Sequence, residues 1–181
     1  SFKPDMLKIY PTLVLKDTGI YKMYMNGKYN SYTEEELVNI LVEVKKIIPS
    51  WVRIMRIQRE IEPSDIIAGS KKGNIRQIAM KKLKELGVKC NCIRCLEEGL
   101  QKLNYDPQEL VLNRIDYFAS GGKEVFLSME SKDKNLLFGF LRLRNIIFSH
   151  RKELHDNDKN SAIIRELHIY GQVVDVGQKN N

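Results

Sequence analysis

The chain has 181 residues, 43% of them apolar and 29% charged, enough for one good core or two small ones. That composition excludes a collagen-like or low-complexity chain, and no apolar run approaches the roughly 18 residues of a membrane span. The start, SFKPDMLKIYPTLVL, lacks the basic, apolar and small-residue order of a signal peptide, so a soluble cytoplasmic protein without membrane partners is expected. The net charge of +7 is uneven: residues 51–105 hold twelve Lys/Arg against six Asp/Glu, while the flanking thirds are near neutral. A basic middle suggests a local polyanion-binding face, with a solvated lysine-rich helix surface as the plainer reading.

In chain order, residues 6–15, MLKIYPTLVL, are apolar and β-branched and predict a short buried parallel strand interrupted at Pro11, closed by a turn at Asp17, Thr18 and Gly19. Thr33 ahead of Glu34, Glu35 and Glu36 predicts an N-cap with a capping box. The following helix carries Leu37, Ile40, Leu41, Val44, Ile47 and Ile48 as its apolar stripe and stops at Pro49. Trp51 to Ile57 alternates as a strand with arginines at its exit, which completes a βαβ pattern and implies a parallel sheet. Pro63 and Ser64 open a short apolar turn. Ile75, Ile78, Ala79, Leu83 and Leu86 then form a second helical stripe ending at Gly87, with Arg76, Lys81, Lys82 and Lys84 opposite.

The remainder changes character. ELVLNRIDYFAS, GGKEVFLSME, KNLLFGFLRLRNIIF and SAIIRELHIYGQVVDV each read as a strand, separated by SGG, SKDK and HRKELHDNDKN, which predicts an antiparallel meander.

All three cysteines fall in KCNCIRC, as Cys90, Cys92 and Cys95. Thiols at this spacing in a reducing compartment suit one metal ion, zinc first, because a short loop aims several thiolates at one point. The fourth position falls to His150, His155, His168, a group outside the chain, or water; unmetallated thiols are the alternative. An iron–sulfur cluster usually takes four thiolates. No P-loop, dinucleotide-binding fingerprint or zinc-protease motif occurs, and no nucleophile with a nearby base can be named by spacing.

The succession LKIYPTLVL, YKMYMNGKYNSYTEEELV, PSWVRIMRIQREI, KKGNIRQIAMKKL, CNCIRC, FLSME, LLFGFLRLR and RELHIYG resembles the Elongator catalytic-subunit family across essentially the whole chain. These are radical S-adenosylmethionine and acetyltransferase enzymes that modify wobble uridine in tRNA, and the cysteine triplet resembles their archaeal or bacterial form. The resemblance implies an α+β chain: residues 1–88 as the C-terminal part of a radical-enzyme partial α/β barrel, 89–105 as a zinc-binding linker held by Cys90, Cys92 and Cys95, and 106–181 as the first half of a GNAT-type acetyltransferase sheet. It further implies a tRNA-facing set of Arg53, Arg56, Arg59, Lys71, Lys72, Arg76 and Gln77, with Lys81 and Lys82 beside it.

Leu167, His168, Ile169, Tyr170 and Gly171 would line the acetyl-CoA cleft, and Glu130 would position or deprotonate the acceptor, a task for which burial is a prerequisite. Lys8 is the corresponding candidate on the radical side; as plainer readings, Glu130 ends a strand and Lys8 pairs with a carboxylate. The family's four-iron cluster ligands and Gly-rich pyrophosphate turn have no counterpart here, so an internal stretch that binds neither cofactor well alone is expected. The implied partners are tRNA and acetyl-CoA, with a second copy or other Elongator subunits. Two other classes stay open, a protein-lysine acetyltransferase and a non-catalytic RNA-binding module.

Overall fold

The β-branched run near the N-terminus forms two short strands rather than one, because Pro11 has no N–H to continue a ladder. In the computed structural model, which describes residues 2–101, 105, 109–146, 151, 161–171 and 177, β1 spans Met6–Ile9 and β2 spans Val14–Leu15. Thr18 accepts from the Tyr21 N–H at 3.2 Å and so caps a helix, α1 (Gly19–Met25), where the sequence predicted only a turn. The capping box forms as expected: Thr33 Oγ1 accepts from the Glu36 N–H at 3.2 Å and Glu36 Oε2 accepts from the Thr33 N–H at 2.7 Å, opening α2 (Glu34–Ile47).

β3 (Arg53–Ile57) pairs in parallel with β1, so the βαβ unit is present. β1 is nevertheless half-exposed, with Met6 at 41%, because its only ladder among the described residues is the one to β3. A 3₁₀ turn at Pro63–Asp65 leads to β4 (Ile66–Ala68), antiparallel to β2. Then α3 runs Ile75–Glu85, and Gly87 takes the positive φ of 67° that ends it.

α2 is rotated relative to its predicted stripe, whereas α3 buries residues of the stripe predicted for it. α2 buries Leu37, Val38, Leu41, Val42 and Lys45, leaving Ile40 and Ile47 exposed; α3 buries Ile75, Ala79 and Leu83 and leaves Leu86 exposed. The core of this part gathers Val14, Leu41, Val52, Ile54, Ile66, Ala79 and Leu83.

After two single-turn helices, α4 (Ile93–Leu96) and α5 (Glu98–Gln101), the sheet forms as an antiparallel meander in chain order: β5 (Leu110–Ala119), β6 (Gly122–Ser131), β7 (Leu137–Asn145) and β8 (Ala162–Ile169). Ser120 and Gly121 both take positive φ, 48° and 76°, the geometry of a two-residue hairpin turn that matches strand twist. One face of the sheet buries Phe126 and Phe140, with ring centroids 5.4 Å apart, together with Glu124, Ser128, Glu130 and Arg142. The cross-strand row Leu112, Met129, Ile169 on the other face is exposed. The chain divides into two compact units, residues 6–92 and residues 93–181 with 1–5. No helix among the described residues is long and apolar enough to cross a membrane.

Candidate functional site

Gly87 stops α3 and turns the chain into the cysteine segment, where the Sγ atoms of Cys90, Cys92 and Cys95 lie within 4.8 Å of one another. Cys90 and Cys92 are buried and Cys95 is half-buried. Tetrahedral ligation at a metal–sulfur distance of about 2.3 Å sets sulfurs about 3.8 Å apart, so this triad fits one thiophilic ion after small rotations. Among the described residues the group consists of these three. His150 and His155 lie outside the described residues. His168 is engaged elsewhere, its Nε2 3.0 Å from Glu166 Oε1.

Sequence reasoning missed a fourth member of this surrounding. Lys45 is fully buried, and its Nζ donates to Cys90 Sγ at 3.6 Å. The signal was present in the sequence: Lys45 occupies the position four after Leu41 and eight after Leu37, on an apolar helix face.

The basic residues separate into two groups. Arg56, Arg59 and Lys71 line one cleft of about 410 Å³, together with Gln58, Glu60 and Glu62. Gln58 takes a φ of +75° as the chain leaves β3, and its N–H donates to Ile9 O at 2.8 Å. Arg59 lies 5.8 Å over the Tyr10 ring. Lys8 stands in register beside Arg56 on the paired strand and is exposed.

Lys72, Lys81 and Lys82 line a second groove with Glu34 and Glu85. Lys72 pairs with Glu34 at 2.6 Å, Lys81 with Glu85 at 3.9 Å, and Lys82 donates to Asn39 Oδ1. Arg76 donates to the Ile54 carbonyl at 3.0 Å, tying α3 to β3, while Gln77 is exposed; Arg53 is half-buried on β3.

In the sheet unit, Glu130 is 7% exposed. Its Oε1 accepts from Ser128 Oγ at 2.5 Å and its Oε2 from Asn113 Nδ2 at 2.9 Å, so neighbours on β6 and β5 fix the carboxylate. β8 is the last strand of the sheet, and its outer edge has no strand partner among the described residues. Leu167, His168 and Ile169 are exposed there, the His168 ring stacks on Phe140 at 5.3 Å, and the Tyr170 N–H donates to Phe138 O at 2.7 Å. Gly171 is exposed beyond the strand.

A charged network also escaped the sequence reading. Asp5 receives Arg165 at 2.6 Å and Arg142 at 3.2 Å, while Glu124 receives Arg144 at 2.6 Å and Arg165 at 2.9 Å. Burial alone would raise the Asp5 carboxyl; the Arg165 hydrogen bond and the Arg142 and Arg165 charges outweigh it and hold Asp5 below its ordinary 3.8. Burial first, then the Asp5 charge, pushes the Tyr117 phenol up. Arg142, 1% exposed, lies 4.9 Å from the Phe140 ring and joins Glu166 at 2.6 Å, which leads the network to His168.

Residues 4–85 match the family model of the Radical_SAM C-terminal domain. The chain is 38% identical to Elongator complex protein 3 of Homo sapiens across 182 aligned residues, 99% of this chain and 33% of that protein. It is 43% identical to tRNA uridine(34) acetyltransferase of Methanocaldococcus jannaschii, covering 95% of this chain and 32% of that one. The solved structure of an archaeal Elp3 from Methanocaldococcus infernus, lacking its residues 1–46, aligns with a TM-score of 0.85 at 41% identity over 93% of this chain and 40% of that chain. The chain thus spans about a third of the length of the curated relatives it matches.

Proposed function

From a chain that belongs to the Elongator complex protein 3 family, we propose that it carries part of the machinery that uses acetyl-CoA and S-adenosylmethionine to build a carboxymethyl-type group at C5 of the wobble uridine in tRNA. The observation that carries this reading is the match to the Radical_SAM C-terminal domain and to a named tRNA uridine(34) acetyltransferase in one chain.

Each set of residues has a share. Arg56, Arg59 and Lys71, which share one cleft with Glu60 and Glu62, would hold the tRNA backbone next to the radical site. Arg53, Arg76 and Gln77 would support that face from β3 and α3. Lys72, Lys81 and Lys82, already paired with acidic or amide partners, would contribute less. Lys8 is the candidate catalytic group of the radical half. The radical itself would come from S-adenosylmethionine on a four-iron cluster, for which the three cysteines here are not the ligands.

The four-stranded meander would be the first half of a GNAT-type domain. In this reading the outer edge of β8, from Leu167 through His168 and Ile169 to Tyr170 and Gly171, offers backbone hydrogen bonds to the pantetheine arm of acetyl-CoA. Glu130, buried and fixed by Ser128 and Asn113, would orient the acceptor at the acetyl group. Cys90, Cys92 and Cys95 would hold a structural zinc, with the fourth ligand drawn from His150, His155, another group or water. A second copy or other Elongator subunits would be partners in the cytoplasm.

The test adds tRNA to an acetyl-CoA turnover assay on the intact protein. Turnover that rises with tRNA supports the uridine-modifying reading. Turnover indifferent to tRNA, with acetylated lysine peptides as product, refutes it in favour of a protein acetyltransferase.

A further inference from the structure

We propose that Lys45 is the built-in counter-ion of the Cys90–Cys92–Cys95 centre, a positioning residue whose ammonium sets how tightly the thiolates hold a divalent metal. This inference rests on the metal reading of the three cysteines. A fully buried lysine is rare, because an ammonium stripped of water is costly unless a partner of opposite charge or strong hydrogen-bonding power replaces the water. A surface-seeking lysine would lay its stem on apolar surface and send its head into solvent. Lys45 does not: its exposure is zero and its Nζ lies 3.6 Å from Cys90 Sγ.

The helix delivers it firmly. α2 is fixed at its start by the Thr33–Glu36 capping box, stopped by Pro49, and anchored by Leu37, Val38, Leu41 and Val42 on the face that Lys45 shares. Three thiolates around a divalent ion leave one net negative charge, and the Lys45 ammonium neutralises it inside a region that excludes water. Its N–H donated to Cys90 sulfur also draws electron density from one ligand, the kind of outer contact that tunes metal affinity.

The experiment measures zinc affinity of the full chain by competition with a chromogenic chelator, and the sulfur-to-metal charge-transfer bands of the cobalt-loaded form. Lys45→Met is expected to weaken zinc binding by about 10- to 100-fold and to shift the cobalt bands, while Lys45→Arg stays near the parent. A parent that takes up both metals while Lys45→Met is indistinguishable from it overturns the inference alone. A parent that takes up neither metal refutes the metal reading and this inference with it. Should Lys45→Met fail to fold, Lys45→Gln and Lys45→Arg are compared instead, and equal affinities for the two overturn the proposal.

Discussion

Replacing Arg56, Arg59 and Lys71 together by glutamine tests whether their shared cleft is the tRNA-binding surface. Each cation that neutralises a phosphate contributes about 0.7 to the slope of log affinity against log salt for single strands and about 0.9 for duplex. Three cations in one cleft therefore account for a slope of about 2.1 to 2.7, so between 50 and 200 mM salt the parent should lose about 20- to 40-fold more affinity than the triple variant. The comparison set is Lys72, Lys81 and Lys82. Their engagement with Glu34, Glu85 and Asn39 leaves less charge to offer, and their triple glutamine variant should lower the slope by less than about 1. The assay is fluorescence anisotropy with an anticodon stem-loop across a salt series, on the intact protein. An unchanged slope in the first variant, or an equal fall in both, would refute the division of the basic residues drawn from the two clefts.

Three further outcomes are expected. A Cβ at Gly139 would stand 2.8 Å from the His168 carbonyl oxygen, a backbone atom, so Gly139→Ala should cost about 1–3 kcal/mol and lower hydrogen-exchange protection in β8; unaltered β8 protection would contradict the close packing of β7 on β8. Thr33→Ala removes the acceptor of the Glu36 N–H and should cost about 1 kcal/mol in urea unfolding, with Thr33→Ser close to the parent. Asp5 has a folded pKa below its ordinary 3.8, so its stabilisation is complete above the unfolded value and disappears as pH falls through the folded one. Asp5→Asn should therefore flatten the loss of stability below about pH 4, and an acid-unfolding profile identical to the parent would sink that assignment.

The sequence by itself determined what depends on near neighbours. The capping box, the Gly87 stop, the βαβ order and the four strands of the meander all follow from residues a few positions apart, since caps, turns and two-residue alternation are short-range interactions. The cysteine triplet was legible for the same reason, because six residues of chain suffice to bring three sulfurs together.

What only the tertiary structure decided was which way each element faces and which distant charges meet. On α2, Ile40 and Ile47 had as good a claim to the core as Val38 and Val42; the packed helix turns the second pair inward together with Lys45, whose Nζ reaches the Cys90 sulfur. The basic residues read as one surface in sequence, and the structure divides them between a cleft lined by Arg56, Arg59 and Lys71 and a groove lined by Lys72, Lys81 and Lys82. Asp5, next to β1 in the chain, belongs to the unit that holds Arg142 and Arg165, more than a hundred residues away. Ion pairs and burial depend on distance in space, and spacing along the chain carries no record of that distance once the loop between two residues is long.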